Sequence, residues 1–243
     1  MSAAPETTEA TSSLAAALPA TDGGRDGGCD DGYELHLMHG SHQLINNSAL
    51  PTKINTWFDV SPNHRHYIQT GEANMPEWNG SSYDFDGNDA HLIQTGSAIT
   101  AMDDFTIGFA LSTTPSISNG VLIADNSSNQ DFIRLANGEQ IDIKADNQLR
   151  SIVLDGELPD ETPYHVIIQR KLNVIRVFIN GTLQSTTASN NATKVLEINT
   201  IGVRNTLLND YVGTMGEVII YSCAENSVFN AMKQRLDFVI QNM

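Results

Sequence analysis

The sequence predicts an all-β sandwich of two antiparallel sheets, closed by one short C-terminal helix. Three observations predict it. Short runs rich in β-branched and aromatic residues recur about every 8 to 12 residues from Ser82 onward. Turn-forming dipeptides separate many of them: Asn119-Gly120, Asn137-Gly138, Asp155-Gly156 and Asn180-Gly181. Only the last part of the chain switches to helical spacing, with Val228, Met232, Leu236 and Val239 on one face. A chain of 243 residues is long enough for one large sandwich, and sandwiches of this size are commonly single domains.

Residues 1–31 are dominated by Ala, Thr, Ser, Glu and Gly, hold no aromatic residue and keep no periodicity. Such a segment buries too little apolar surface to offset its ordering entropy. It reads as a flexible, anchoring arm ahead of a folded domain over 32–243. Tyr33–Met38 supplies a first short strand, and a loop leads into Asn55–Gln69. Further strands are predicted over Tyr83–Phe85, His91–Thr95, Phe105–Ser112, Val121–Asp125, Phe132–Ala136 and Gln140–Lys144. The rest fall at Arg150–Leu154, Tyr164–Lys171, Val174–Ile179, Leu183–Thr187, Val195–Ile198 and Val218–Tyr221. The strongest hairpin is VIRVFI-NG-TLQSTT, where Asn180-Gly181 offers the positive-φ pair that a two-residue primed turn requires. Ser227–Val239 forms the closing helix, with Ser227 as its N-cap.

The formal net charge is −16, from 29 acidic and 13 basic residues. That balance excludes the basic footprint of a nucleic-acid binder and disfavours an anionic membrane surface. No apolar run approaches the roughly 18 residues that span a bilayer. Cys29 and Cys223 are the only cysteines. Two so placed make no disulfide framework, so free thiols are expected. The N-terminus lacks the pattern of an export signal. Glu6 and Glu9 occupy the region that should be basic, and SLAAALPA at Ser13–Ala20 is short and weakly apolar. Folding in a cytoplasm is expected, wherever the protein later works.

Four segments carry a family resemblance. TWFDVSPNHRHYIQ at Thr56–Gln69 sets Trp57, Asp59, Ser61, Asn63 and His66 in a W-x-D-x-S-G-N-x-x-H loop, with Pro62 at the glycine position. NGSSYDFDGNDAHL at Asn79–Leu92 holds a Phe85-Asp86-Gly87 strand and turn followed by Asp89 and Leu92. FTIGFALS at Phe105–Ser112 supplies the next core strand, and GTMGEVIIY at Gly213–Tyr221 leads into the trailing helix. In this order they resemble the laminin-G-like, concanavalin-A-like jelly rolls found in bacteriophage structural proteins and bacterial surface proteins. The resemblance implies a jelly-roll sandwich used for recognition and scaffolding. Each motif also has a structural reason. Phe85 points inward before a turn that Gly87 makes without steric cost. Val218, Ile219 and Ile220 suit a central strand, Gly216 allows close backbone passage, and Glu217 is expected to satisfy backbone N–H groups at a sheet edge.

Candidate sites are few. Asp84, Asp86, Asn88 and Asp89 are hard oxygen donors of the kind calcium prefers, and lectin-like jelly rolls often carry that ion at a loop rim. The twelve-residue loop ending in a bidentate glutamate is missing, so an ordinary Asp-rich turn is expected, with calcium as the lesser alternative. His36, His39 and His42 recur at every third position, and His64 and His66 flank Arg65. Zinc needs three or four converging ligands, and Gly40 and Ser41 break the helix that would align them, so exposed loop histidines are expected. A retaining glycosidase wants two carboxylates about 5–5.5 Å apart on one strand face. Glu139 and Asp142 have the wrong spacing for this, and Glu157, Asp160 and Glu161 lie in a proline-containing loop. The expectation is no catalytic, cofactor or metal residues. Trp57 and Trp78 are the only tryptophans, and both sit in segments that close the sandwich, so no sugar platform is advertised.

Two functions from different classes follow. The first is a non-enzymatic bacteriophage virion protein, a capsid decoration or fibre component. It would be anchored by its arm to the major capsid protein or other virion subunits, working as a homo-oligomer such as a trimer at the virion surface. Host surface glycans are its conceivable targets. The alternative is a secreted or cell-surface bacterial carbohydrate-binding module.

Overall fold

The computed structural model describes residues 34–45, 50–94, 99–100, 104–115, 117–126, 131–145, 148–189, 196–204 and 209–243. The predicted arm over 1–31 lies outside the described residues. The chain opens with β1 (Leu35–Leu44), β2 (Ile54–Asp59), β3 (Tyr67–Ile68), a 3-10 turn at Glu72–Asn74, β4 (Glu77–Trp78) and β5 (Tyr83–Asp86). There follow β6 (Leu92–Gln94), β7 (Ile99–Thr100), β8 (Phe105–Thr113), β9 (Gly120–Ala124), β10 (Phe132–Asn137), β11 (Gln140–Ala145) and β12 (Gln148–Val153). Next come β13 (Tyr164–Lys171), β14 (Val174–Ile179), β15 (Thr182–Leu183), β16 (Ala188–Ser189), β17 (Glu197–Ile198) and β18 (Thr200–Ile201). The chain closes with β19 (Val212–Tyr221) and α1 (Asn226–Ile240).

The strands stack into two layers. One runs β2–β1–β19–β8–β13–β14, with β5 and β4 beside the start of β19. The other runs β3–β6–β18–β9–β10–β11–β12. The shared strand β2 pairs with β1 and with β3, joining the layers at one edge. All of these pairings are antiparallel, as the run of short strands and tight turns predicts.

Alternation fills the space between the layers. Ile107, Phe109 and Leu111 of β8, Val166 and Ile168 of β13, and Val218 and Ile220 of β19 face Ile133 and Leu135 of β10 and Ile141 and Ile143 of β11. Trp57, Tyr67, Tyr83, Phe85, Tyr164 and Tyr211 complete this core, all fully buried. Phe85 points inward and Gly87 turns at φ +72°, both as the motif requires. Asn180 and Gly181 adopt φ +49° and +77°, the primed turn read from the sequence. A second hairpin turns at Leu172-Asn173, φ +49° and +69°, where no glycine announces it.

The other faces of β8, β13 and β19 are also apolar, and α1 covers them. Val228, Met232, Leu236 and Val239 pack on Ala110, Ile167, Ile219 and Tyr221. Gly108 and Gly216 permit the approach: a Cβ there would stand 2.4 Å from Met232 Sδ and 2.6 Å from Met243 Sδ. The helix starts one residue earlier than predicted. Its N-cap is Glu225, with no side-chain cap hydrogen bond, so the Ser227 cap is corrected.

Other expectations are corrected too. The predicted strand Leu183–Thr187 is two short pieces, β15 and β16, whose partner is β14. The last strand begins at Val212 rather than Val218, because its first half pairs with β5 and β8. Glu217 lies not at a sheet edge but on a strand flanked on both sides. Finally, Cys223 is disulfide-bonded rather than a free thiol. Cys29, the only other cysteine of the chain, lies outside the described residues. Separation along the chain says nothing about distance in space.

Candidate functional site

Among the described residues, no helix lies on one broad face of the sandwich, the outer side of β10, β11 and β12. While Ile133, Leu135, Ile141, Ile143 and Ile152 point into the core, alternation sends Phe132, Arg134, Asp142, Lys144, Ser151 and Val153 outward. The registers make rows of them. Phe132 stands opposite Lys144, and Arg134 opposite Asp142, while Asp142 stands opposite Ser151 and Lys144 opposite Leu149.

Asp142 anchors this face. Its Oδ2 accepts from Arg134 Nε and Nη2 at 3.0 and 2.7 Å, and its Oδ1 from Gln140 Nε2 at 2.8 Å and Ser151 Oγ at 2.6 Å. Burial would raise this carboxyl, but the bonds from Ser151, Arg134 and Gln140 outweigh it and hold its pKa below the ordinary value. Phe132, although on the outer face, is only 3% exposed; it clusters with the buried Val121 and Ala124 of β9, and cations lie near its ring. Arg134 Cζ, Arg204 Cζ and Lys144 Nζ sit 5.0, 5.4 and 5.9 Å from its ring centre. Arg204 arrives from just beyond β18. Its Nε is buried with no hydrogen-bond partner, and burial, with the Arg134 charge, lowers its pKa. Leu149 and Val153 stand exposed beside the cluster. Chemically this face can bind a polar or charged group. Its buried carboxylate, Asp142, is committed to four donors.

Of these residues the sequence points only to Asp142, as a carboxylate set aside for its spacing from Glu139. The available signal was a charged residue inside each apolar run, Arg134 in FIRLAN and Asp142 in QIDIKA.

The other residues that were singled out go elsewhere. Asp84 and Asp86 share the exposed side of β5. Asp86 Oδ1 accepts from the Asn88 N–H at 2.9 Å, and Asp210 Oδ2 from the Asp89 N–H at 3.3 Å. This is the turn chemistry expected of an Asp-rich loop. Burial, with Glu77 and Asp86 nearby, raises the Asp84 pKa. Among the described residues no three His, Cys, Asp or Glu side chains gather around a metal position. Glu139 is exposed in the β10–β11 turn, apart from the sequestered Asp142. Glu157, Asp160 and Glu161 are exposed in the loop before β13.

The first three histidines are not loop residues, which corrects that expectation. They lie on β1, because that strand runs on to Leu44. His36 Nε2 meets Glu217 Oε1 at 2.7 Å, while Arg235 Nε and Nη2 donate to the two Glu217 oxygens, each at 2.7 Å. The His39 N–H donates to Glu217 Oε2 at 3.2 Å. Glu217 thus does bind a backbone N–H, but its main partners are side chains. His42 stacks on Trp78 at 4.6 Å between ring centres. His66 Nδ1 accepts from the Asp59 N–H at 3.1 Å. The opening loop of the family pattern is held by Asp59, which is buried and accepts from the His36, Ser61 and Arg65 N–H groups and from Ser61 Oγ. Its Asp, Ser and His are therefore a folding device. Trp57 is fully buried with its Nε1 donating to Met38 O, which removes it as a stacking platform. Trp78 is half-buried.

The fold is shared with proteins of several activities. Domain 4 of a GH43 extracellular arabinanase from Geobacillus stearothermophilus, in complex with arabinotriose, matches with a TM-score of 0.50 at 11% identity, over 64% of this chain and 76% of that one. A mutant of HCR/D matches with a TM-score of 0.56 at 12% identity, over 87% and 52%. Trypanosoma rangeli sialidase, in complex with 2,3-difluorosialic acid, matches with a TM-score of 0.56 at 14% identity, over 87% and 33%. The chain thus spans about half of the second protein and a third of the sialidase. No curated protein sequence matches it. The family model for the concanavalin A-like lectin/glucanases superfamily, in its laminin G form, matches residues 85–227. That stretch covers more than half of the chain and runs from the Phe85 strand through β19 to the start of α1, so this chain belongs to the concanavalin A-like lectin/glucanases superfamily.

Proposed function

We propose that this chain is a non-enzymatic recognition and display domain: a bacteriophage virion structural protein, a capsid decoration or fibre, that presents a carbohydrate-recognising jelly roll. The observation that carries recognition is the open outer face of β10–β12. There a fixed polar cluster stands uncovered by any helix among the described residues, whereas α1 packs on the opposite outer face. The sugar-bound arabinanase domain and the sialidase share the fold, which supports carbohydrate as the ligand class. Residues 1–31 lie outside the family match and would join the domain to the major capsid protein or another virion subunit. A homo-oligomer, such as a trimer at a threefold position, suits repeated display on a particle. The net charge of −16 would help keep decorated particles apart.

A second reading, a secreted or cell-surface carbohydrate-binding module, is favoured by the disulfide at Cys223. Such bonds persist outside reducing cytosol. A virion released from its host also meets that condition.

Deletion of residues 1–31 separates the two. The virion reading predicts a folded remainder that no longer attaches to its particle, while glycan binding persists. Because the deletion also removes Cys29, the full-length double variant Cys29→Ser/Cys223→Ser serves as control and should still attach. Attachment of the deleted form would overturn the anchoring role.

A further inference from the structure

Basic residues are scarce in this chain, 13 against 29 acidic ones, yet three of them converge on one ring. Arg134, Lys144 and Arg204 reach Phe132 from two strands and a loop. Convergence of like charges is unfavourable unless something offsets it. For Arg134 the offset is visible in its bond to Asp142 at 2.7 Å. The Arg204 guanidinium lies against the same ring, feels the Arg134 charge, and leaves its buried Nε without a partner. Asp142 thus pairs with Arg134, while the buried Arg204 Nε has no hydrogen-bond partner.

We infer that the Phe132–Arg134–Lys144–Arg204 face binds the acidic group of a saccharide, a carboxylate or a sulfate ester, with Arg204 as its principal contact. The inference rests on the carbohydrate-recognition reading and names the ligand class for that same face. A planar guanidinium whose Cζ stands 5.4 Å from the centre of an aromatic ring presents a fork of donors suited to bidentate contact with such an oxyanion. The neighbouring groups suit the remainder of a sugar. Ser151 Oγ, which donates to Asp142, keeps its lone pairs for a sugar hydroxyl, and the exposed Val153 and Leu149 offer apolar surface to ring C–H groups. The acidity of the whole molecule also narrows the ligand. Its field repels dense polyanions such as nucleic acid, whereas a sparsely charged saccharide meets chiefly the local cations.

The test is glycan binding by the full-length protein. The probes are hexuronate, sialylated and sulfated oligosaccharides, each with its neutral counterpart, and inorganic sulfate alone. At least one acidic probe should bind, weakened about tenfold or more by neutralising its acid, the scale of one charge-assisted hydrogen bond. Arg204→Gln should weaken that binding similarly, Arg204→Lys should restore part of it, and added salt should reduce it. Thermal melting of both variants should match the parent, so that lost binding is not lost folding. Acidic and neutral probes binding alike, with Arg204→Gln unchanged, would overturn the acidic-ligand inference while leaving carbohydrate recognition standing. Inorganic sulfate binding as tightly as the saccharides would overturn the saccharide part. Binding of neutral probes alone, or of none, would overturn the inference.

Discussion

Each layer of the sandwich carries, on its outer face, a carboxylate held by an arginine. On the β19 face it is Glu217, fully buried, with Arg235 from α1, His36 from β1 and the His39 N–H around it. On the β10–β12 face it is Asp142, with Arg134, Gln140 and Ser151 around it. The partners differ in origin. Glu217 ties three separate elements together, so its pairing fastens the helix to the sheet. Asp142 binds side chains of its own and the two adjacent strands, so its pairing stiffens a surface and closes nothing over it. One device therefore seals one face and prepares the other.

The comparison can be broken experimentally. Arg235→Ala should show the largest effect, about 3–5 kcal/mol in equilibrium unfolding, since it strands a buried carboxylate. A loss no greater than that of a surface change would mean Glu217 does not fasten α1. Asp142→Asn should cost less, about 1–3 kcal/mol. It keeps the shape but weakens the charge-assisted bonds, and circular dichroism should show α1 intact.

Acid should loosen the α1 face in two steps. Burial lowers the His165 pKa despite its bond to Asp237 on α1. The unfolded chain therefore binds its proton first, and stability falls as pH drops below the ordinary 6.5. Burial raises Glu217, but His36 and Arg235 win and lower it from 4.5. Its contribution is thus complete above that value and is lost as pH falls through the lowered one. Unfolding followed against pH should show both windows, with Glu217→Gln flattening the lower one. If that variant kept the full acid slope, the pairing would not carry it. The smallest effect belongs to the open face: Leu149→Ser and Val153→Ser should stay within about 0.5 kcal/mol in thermal melts.

Local signals are legible in the sequence. The Asn180-Gly181 turn, the Phe85 strand and the amphipathic side of α1 each depend on residues close in sequence, where side-chain period and backbone φ are set. What escaped depended on pairing across the chain. The histidines of β1 looked like loop residues because Gly40 interrupts them, yet β2 and β19 hold that stretch as strand. The open-face cluster escaped for the same reason: Arg134 and Arg204 are 70 positions apart and meet only because β18 and β10 both flank β9.

By itself the sequence determined the all-β class, the family motifs, most strand positions and the acidic charge, because period and composition are properties of short windows. Only the tertiary structure decided that Trp57 is core, that Glu217 fastens a helix, that Cys223 is bonded, and which broad face stays open. Those outcomes rest on registers between distant strands, and a register is fixed by the whole core rather than by any one segment.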